Sequence, residues 1–143
     1  MRFMMIVIPR GYEKAKPGAM PDPKIVAEMS KFNESLQKAG VLLSMEGLHP
    51  PSMGARVSYS GGKPKVTDGP YTEAKEVIGG FWMIEVSSKA EAVEWAKRAP
   101  MPNDELIEIR QVQEFEDFPP DVQEAAANEP ALREQLAKKA KKR

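Results

Sequence analysis

The sequence predicts an α+β fold: a ferredoxin-like sheet with both helices on one face, joined to a second copy as a dimeric α+β barrel. Three observations predict it. The elements run β-α-β, then a hairpin, then β-α-β, and two such units fit a ferredoxin-like sheet. Two strands, at 3–8 and 80–86, are apolar at nearly every position and have no polar face to offer water. With the helices on one side, the other faces of these strands need a cover, and a second copy of the sheet is the simplest one.

The first strand is Phe3-Met4-Met5-Ile6-Val7-Ile8, closed by Pro9; six residues suit a strand better than a helix. Gly11, Pro17, Gly18 and Pro21 make the next segment a loop. Asp22-Pro23 reads as a helix N-cap and first helical position. Ile25, Met29, Phe32 and Leu36 follow on one helical face, and Gly40 stops the helix. Val41 to Leu48 is a second strand, leading into Gly47-Leu48-His49-Pro50-Pro51. Ala55, Val57 and Tyr59 alternate on one face of a third strand, which turns at Gly61-Gly62 and returns through Lys63 to Thr67. Ser88-Lys89-Ala90-Glu91 reads as a capping box opening a helix through Val93, Trp95 and Ala96, ended by Pro100 and Pro102. Leu106 to Val112 is the last strand of a domain spanning 1–118. Residues 119–143 form a separate helical tail with Leu132, Leu136 and a terminal Lys/Arg cluster.

Composition narrows the function. A formal net charge of +0 gives no bulk field drawing the chain to nucleic acid or an acidic membrane. The absence of cysteine removes disulfides, thiolate metal sites and cysteine nucleophiles, and suits a reducing cytoplasm. Six apolar residues before Pro9 are too short for a signal-peptide core, and no run approaches the roughly 18 apolar residues of a membrane span. No glycine-rich phosphate loop and no serine nucleophile elbow occurs, which argues against nucleotide cofactors and serine hydrolase chemistry.

The most informative stretch is Val66-Thr67-Asp68-Gly69-Pro70-Tyr71-Thr72-Glu73-Ala74-Lys75-Glu76. Turn chemistry accounts for Asp68, which can bond its own backbone, and for Gly69, expected to supply a positive φ. It does not account for Glu73, Lys75 and Glu76 following so closely. This segment, with Gly79-Gly80, the Phe81-Trp82 strand and Glu108-Ile109-Arg110, closely resembles the signature of the DGPF branch of the YCII-related family. The similarity covers roughly residues 1–115 and leaves out the tail. Tyr71, Thr72 and Ala74 depart from the family's Phe, Ala and Thr, so a role for that threonine does not carry over. The resemblance implies a dimeric α+β barrel. It also implies a His/Asp pair as a suggested active site, which would fall on His49 and Asp68 here. Genes of this branch often accompany alternative sigma factors, implying a regulatory partner as a second possibility.

His49 is the chain's one histidine, and histidine is the commonest general base near neutral pH. Its prolines place it at a rigid strand exit; the plainer reading is a surface histidine. A lone histidine without cysteine does not suit zinc, and no spacing of Asp68, Glu73 and Glu76 supports another metal. Asp68 is a turn former or a catalytic partner. Glu73, Lys75 and Glu76 line a pocket if their segment folds over the barrel mouth, and are a solvated loop otherwise. Arg56 and Arg110 can hold an anion bidentately or pair with Glu46 or Glu108 on a sheet face. Tyr71, which brings a hydroxyl, joins them as a ligand-binding candidate; Tyr12, Phe81 and Trp82 are either pocket walls or core.

Two readings follow. One is a cofactor-free enzyme for a small polar or anionic molecule, with His49, Asp68 and Glu73 moving protons and Arg110 holding the substrate. The other is a non-catalytic ligand sensor or regulatory partner, for example of a sigma factor.

Overall fold

The computed structural model describes residues 1–142, which divide into two compact units, one from Met1 to Gln111 and one from Val112 onward. The first unit contains β1 (Arg2–Ile8), α1 (Pro23–Lys38), β2 (Leu42–Gly47), β3 (Ala55–Ser60), β4 (Lys63–Asp68), β5 (Gly80–Glu85), α2 (Lys89–Lys97) and β6 (Leu106–Gln111). Four strands form one sheet in the order β2-β5-β1-β6, with every neighbouring pair antiparallel. This is the ferredoxin-like order, in which each helix crosses over between parallel, non-adjacent strands. β3 and β4 pair only with each other.

Local chemistry fixes the elements. The Asp22 carboxylate accepts from the Lys24 N–H at 2.8 Å, and Pro23 occupies the first turn where no N–H is needed. After Lys38 the chain turns through Gly40 at φ 73°, a left-handed conformation that glycine adopts freely. Gly61 and Gly62 both take positive φ, 59° and 78°, as a two-residue hairpin turn between twisted strands requires.

The start of α2 differs from the expected capping box. The Ser88 hydroxyl does accept from the Glu91 N–H at 3.1 Å. The Glu91 carboxylate, however, takes the Ser87 N–H at 2.8 Å and the Ser87 hydroxyl at 2.6 Å. These bonds, the hydroxyl first, hold the Glu91 carboxyl below its ordinary range. A depressed folded-state value adds stability above the unfolded carboxylate pKa, about 4.3, that disappears as pH falls through the folded value. Wild type should therefore melt above Glu91→Gln at neutral pH, with the gap in Tm closing in acid. A gap that does not change with pH would contradict this.

The core lies between the sheet and the two helices. Phe3, Met5, Trp82, Ile84 and Val86 point toward Phe32 and Leu36 of α1 and Ala92 of α2. Register explains the grouping, since Phe3 lies opposite Ile84 and Met5 opposite Trp82. The alternate residues Met4, Ile6, Ile8, Phe81 and Met83 occupy the other face, which neither α1 nor α2 covers. Glu46, Glu108 and Arg110 flank that apolar band by register. The unbroken apolarity of β1 thus reflects two apolar faces.

All twelve positions of the β3–β4 hairpin are exposed, including Val57 and its cross-strand partner Val66. In the second unit, α3 (Pro120–Ala125) and α4 (Glu129–Lys141) follow one another. α4 carries surface pairs Arg133–Glu129 at 3.4 Å and Lys138–Glu134 at 2.7 Å, each worth a few tenths of a kcal/mol. Its Leu132 and Leu136 are exposed.

Candidate functional site

A hollow forms where the sheet runs out of side chains. Across three strands, Val7 faces Gly80 and Gly80 faces Gly47, so at this level only Val7 carries a side chain. α1 passes nearby with Ile25 and Met29 one turn apart. Beyond the strand ends the hollow widens into a cavity of about 570 Å³, walled largely by Val7, Pro9, Met20, Ile25, Met29 and Met101. Its polar lining residues are Arg10, Tyr12, His49 and Glu105. A largely apolar, half-open hollow with a few polar groups in its lining has the composition common in small-molecule sites.

The polar groups are positioned by contacts between distant segments. The Tyr12 hydroxyl donates to the Leu48 carbonyl at 2.5 Å, fixing the residue before His49. Burial raises the Tyr12 phenol above its ordinary value, so it remains a donor at neutral pH. The Arg10 guanidinium meets Asp104 at 2.6 Å, and the Arg10 N–H donates to Glu105 Oε1 at 3.4 Å. These groups are exposed, so the pair orients Glu105 more than it stabilises the fold. The Ser52 hydroxyl donates to the Ala15 carbonyl at 2.9 Å, tying the segment after His49 to the segment after Tyr12.

His49 is exposed on its open side and followed by Pro50, which is fully buried. Asp68 ends β4 and is exposed. Its loop packs directly on the His49 loop, with the Gly69 N–H donating to the Gly54 carbonyl at 2.9 Å. Gly69 does not take the positive φ expected for it. It is glycine for another reason: a Cβ there would lie 1.7 Å from the Pro51 carbonyl oxygen. The two loops carrying His49 and Asp68 are therefore in backbone contact, but no hydrogen bond or ion pair joins the two side chains among the described residues.

The other candidates lie elsewhere. The Arg56 guanidinium stacks over the Tyr71 ring with 3.9 Å to its centroid, joining two expected ligand-binding residues to each other. Arg110 sits 3.6 Å from Glu108 on the sheet face, one of the pairings foreseen for it. Glu73, Lys75 and Glu76 are exposed. Asp68, Glu73, Lys75, Glu76, Arg56, Tyr71 and Arg110 are not among the residues that line the His49 cavity. Tyr12 is a wall of that cavity, while Phe81 and Trp82 line a smaller hollow beside it. Arg10 and Glu105 escaped sequence reasoning because they meet across 95 residues with no motif around either.

A ferredoxin-like sheet with an apolar-walled hollow at its end defines a small α+β domain with one candidate site beside its single histidine. The chain belongs to the YCII-related family, whose domain model matches residues 1–116. It is also similar to an uncharacterised protein of Rhizobium meliloti (strain 1021), at 32% identity over 76 residues, 53% of this chain and 61% of that protein. The chain thus spans about 61% of the length of the curated relative it matches.

Proposed function

We propose that this protein binds a small organic molecule in the His49 cavity and acts on it by proton transfer, without an organic cofactor. One observation carries the reading: His49, Tyr12 and Glu105 share an apolar-walled cavity of about 570 Å³. His49 is the proton-transfer group. Its acidic partner is Glu105 across the cavity, or Asp68 from the adjoining loop; Glu73 would need its exposed segment to fold over the mouth. Tyr12, whose one O–H is given to the Leu48 carbonyl, offers only its oxygen as an acceptor, and reactions that need only placed acid and base groups, such as isomerisation, elimination or hydrolysis, fit this set.

The Asp68-Gly69-Pro70 segment supports assignment to the DGPF branch of the family. The half-buried apolar residues Met4, Ile8, Phe81 and Met83 of that face support a homodimer in which two sheets close an α+β barrel, with Arg110 and Glu108 at its rim. The cysteine-free composition supports a cytoplasmic location.

A second reading is a ligand sensor without turnover, serving a regulatory partner such as a sigma factor. It is favoured by the absence of a carboxylate bonded to His49 among the described residues, since a catalytic imidazole is usually held in one tautomer by such a bond. A thermal-shift screen of small amides, carboxylates, phosphates and lactones, run in parallel on wild type and His49→Ala, tests the site. Stabilisation by one compound class that is lost in His49→Ala is expected. A shift of equal size in both proteins would remove His49 from the site, and turnover of the stabilising compound would separate enzyme from sensor.

A further inference from the structure

We propose that the ligand site extends past Gly47 into the adjoining hollow, forming one groove that takes an elongated, mainly apolar molecule with its polar end at His49. This rests on the reading of the His49 cavity above and extends it to a class of ligand. The second hollow, about 340 Å³, is lined by Asn33, Met45 and Trp82 among others. Both hollows share Val7, Met29, Gly47 and Gly79. Along α1, Ile25 lines the first, Met29 both and Asn33 the second. These residues stand at i, i+4 and i+8 on one helical face, so the groove follows α1 for about 12 Å.

Gly47 is the second observation. A glycine at a strand position weakens the strand, and it often marks a close approach by a ligand or another backbone. The other two glycines of the floor are accounted for by the protein itself. A Cβ at Gly80 would lie 2.7 Å from the Glu46 carbonyl oxygen, and one at Gly79 would lie 2.5 Å from the Pro9 ring. Gly47 has neither a positive φ nor any atom within 4 Å of a Cβ built on it. Nothing in the described structure requires glycine there; a ligand lying along the groove does. The unbranched side chains of Met29 and Met45 can adjust to an apolar chain. At the far end, the Asn33 carbonyl is taken by the Trp82 indole at 2.7 Å, leaving its NH₂ without a protein partner among the described residues. Arg10 is neutralised by Asp104, while Glu105 remains an acceptor, so a neutral hydrogen-bonding head group suits the His49 end better than an anion.

A series of straight-chain primary amides, from butanamide through hexanamide and octanamide to decanamide, tests the groove by titration calorimetry on the full chain. In wild type the Kd should fall about fourfold per added methylene, the value for burying apolar surface. In Gly47→Leu the short amides should bind as in wild type, and the gain should stop once the chain reaches the plugged junction. Met29→Phe, which narrows the same junction from the helix side, should flatten the series in the same way if Gly47→Leu does not fold. Gly47→Ala should fold and weaken the longer amides, though less than Gly47→Leu does. An affinity independent of chain length in wild type, a full gradient in both plugged variants, or no binding by any amide would overturn the groove. The two readings separate in His49→Ala. Uniform weakening with an unchanged gradient supports both. Unchanged affinity, with Gly47→Leu still flattening the series, leaves the groove standing and removes the histidine.

Discussion

Replacing Trp82 with alanine should lower the free energy of unfolding by about 3–5 kcal/mol, read from urea denaturation by far-UV circular dichroism. Trp82 is 4% exposed and lies opposite Met5 at the centre of the sheet. The Phe32 ring meets it edge-on, with centroids 5.3 Å apart and planes at 82°. Such a pair adds about 0.5–1.5 kcal/mol to the burial of the two rings. The indole N–H also donates to Asn33 Oδ1 at 2.7 Å. Trp82→Phe separates these contributions, since it keeps an aromatic ring and strands the asparagine oxygen. It should cost less than Trp82→Ala, about 1 kcal/mol for the lost hydrogen bond, because Asn33 is half-buried and lines an open hollow. Against a typical total of about 5–15 kcal/mol, the alanine variant is close to the limit of folding. A loss below about 1 kcal/mol in Trp82→Ala would mean that α1 is not packed on β5 as described.

Trp82 also shows why the fold was legible in the sequence and the site was not. The elements rest on signals carried by a few adjacent residues: Asp22 before Pro23, Gly61 beside Gly62, Ser88 three residues before Glu91. An apolar run closed by Pro9 locates β1 without knowledge of its partners. The apolar face of α1 was equally plain in Ile25, Met29, Phe32 and Leu36. The structure divides that face by destination. Phe32 and Leu36 enter the core, Met29 packs against it while also lining the cavity, and Ile25 lines the cavity. Helical periodicity reports which residues leave water and cannot say whether they meet protein or an open hollow.

The cavity itself draws on β1, the loop after it, α1, the end of β2 and the segment before β6. His49 stood out because it is unique in composition, not because its surroundings were visible. Glu105 had no such mark, and Gly47 read only as the end of a strand. Its significance appears when register sets it opposite Gly80. The signature segment was legible as a pattern, but the reason for its glycine lies in Pro51, eighteen positions earlier in the chain and visible only in three dimensions.

That contact makes Gly69→Ala the sharpest test of how the signature serves the site. The added Cβ would lie 1.7 Å from the Pro51 carbonyl oxygen and 2.6 Å from its carbon. Both are backbone atoms, so no change of side-chain rotamer relieves the overlap, and one loop must move away from the other. Overpacking of this kind costs about 1–3 kcal/mol and sometimes more. The displaced loop also carries Pro50 and His49, so the ligand-induced thermal shift should fall together with the melting temperature of the free protein. Gly47→Ala is the matched control, because its Cβ meets nothing within 4 Å and its melting temperature should hold or rise. Asp68→Asn separates the loop contact from the carboxylate, since it leaves the backbone meeting of Gly69 and Pro51 in place. If Gly69→Ala abolishes binding and Asp68→Asn does not, the signature acts by holding the His49 loop. If Asp68→Asn loses turnover of a bound compound while keeping its affinity, Asp68 takes part in the proton transfer. Wild-type melting and binding in Gly69→Ala would show that the two loops are not held together at this point.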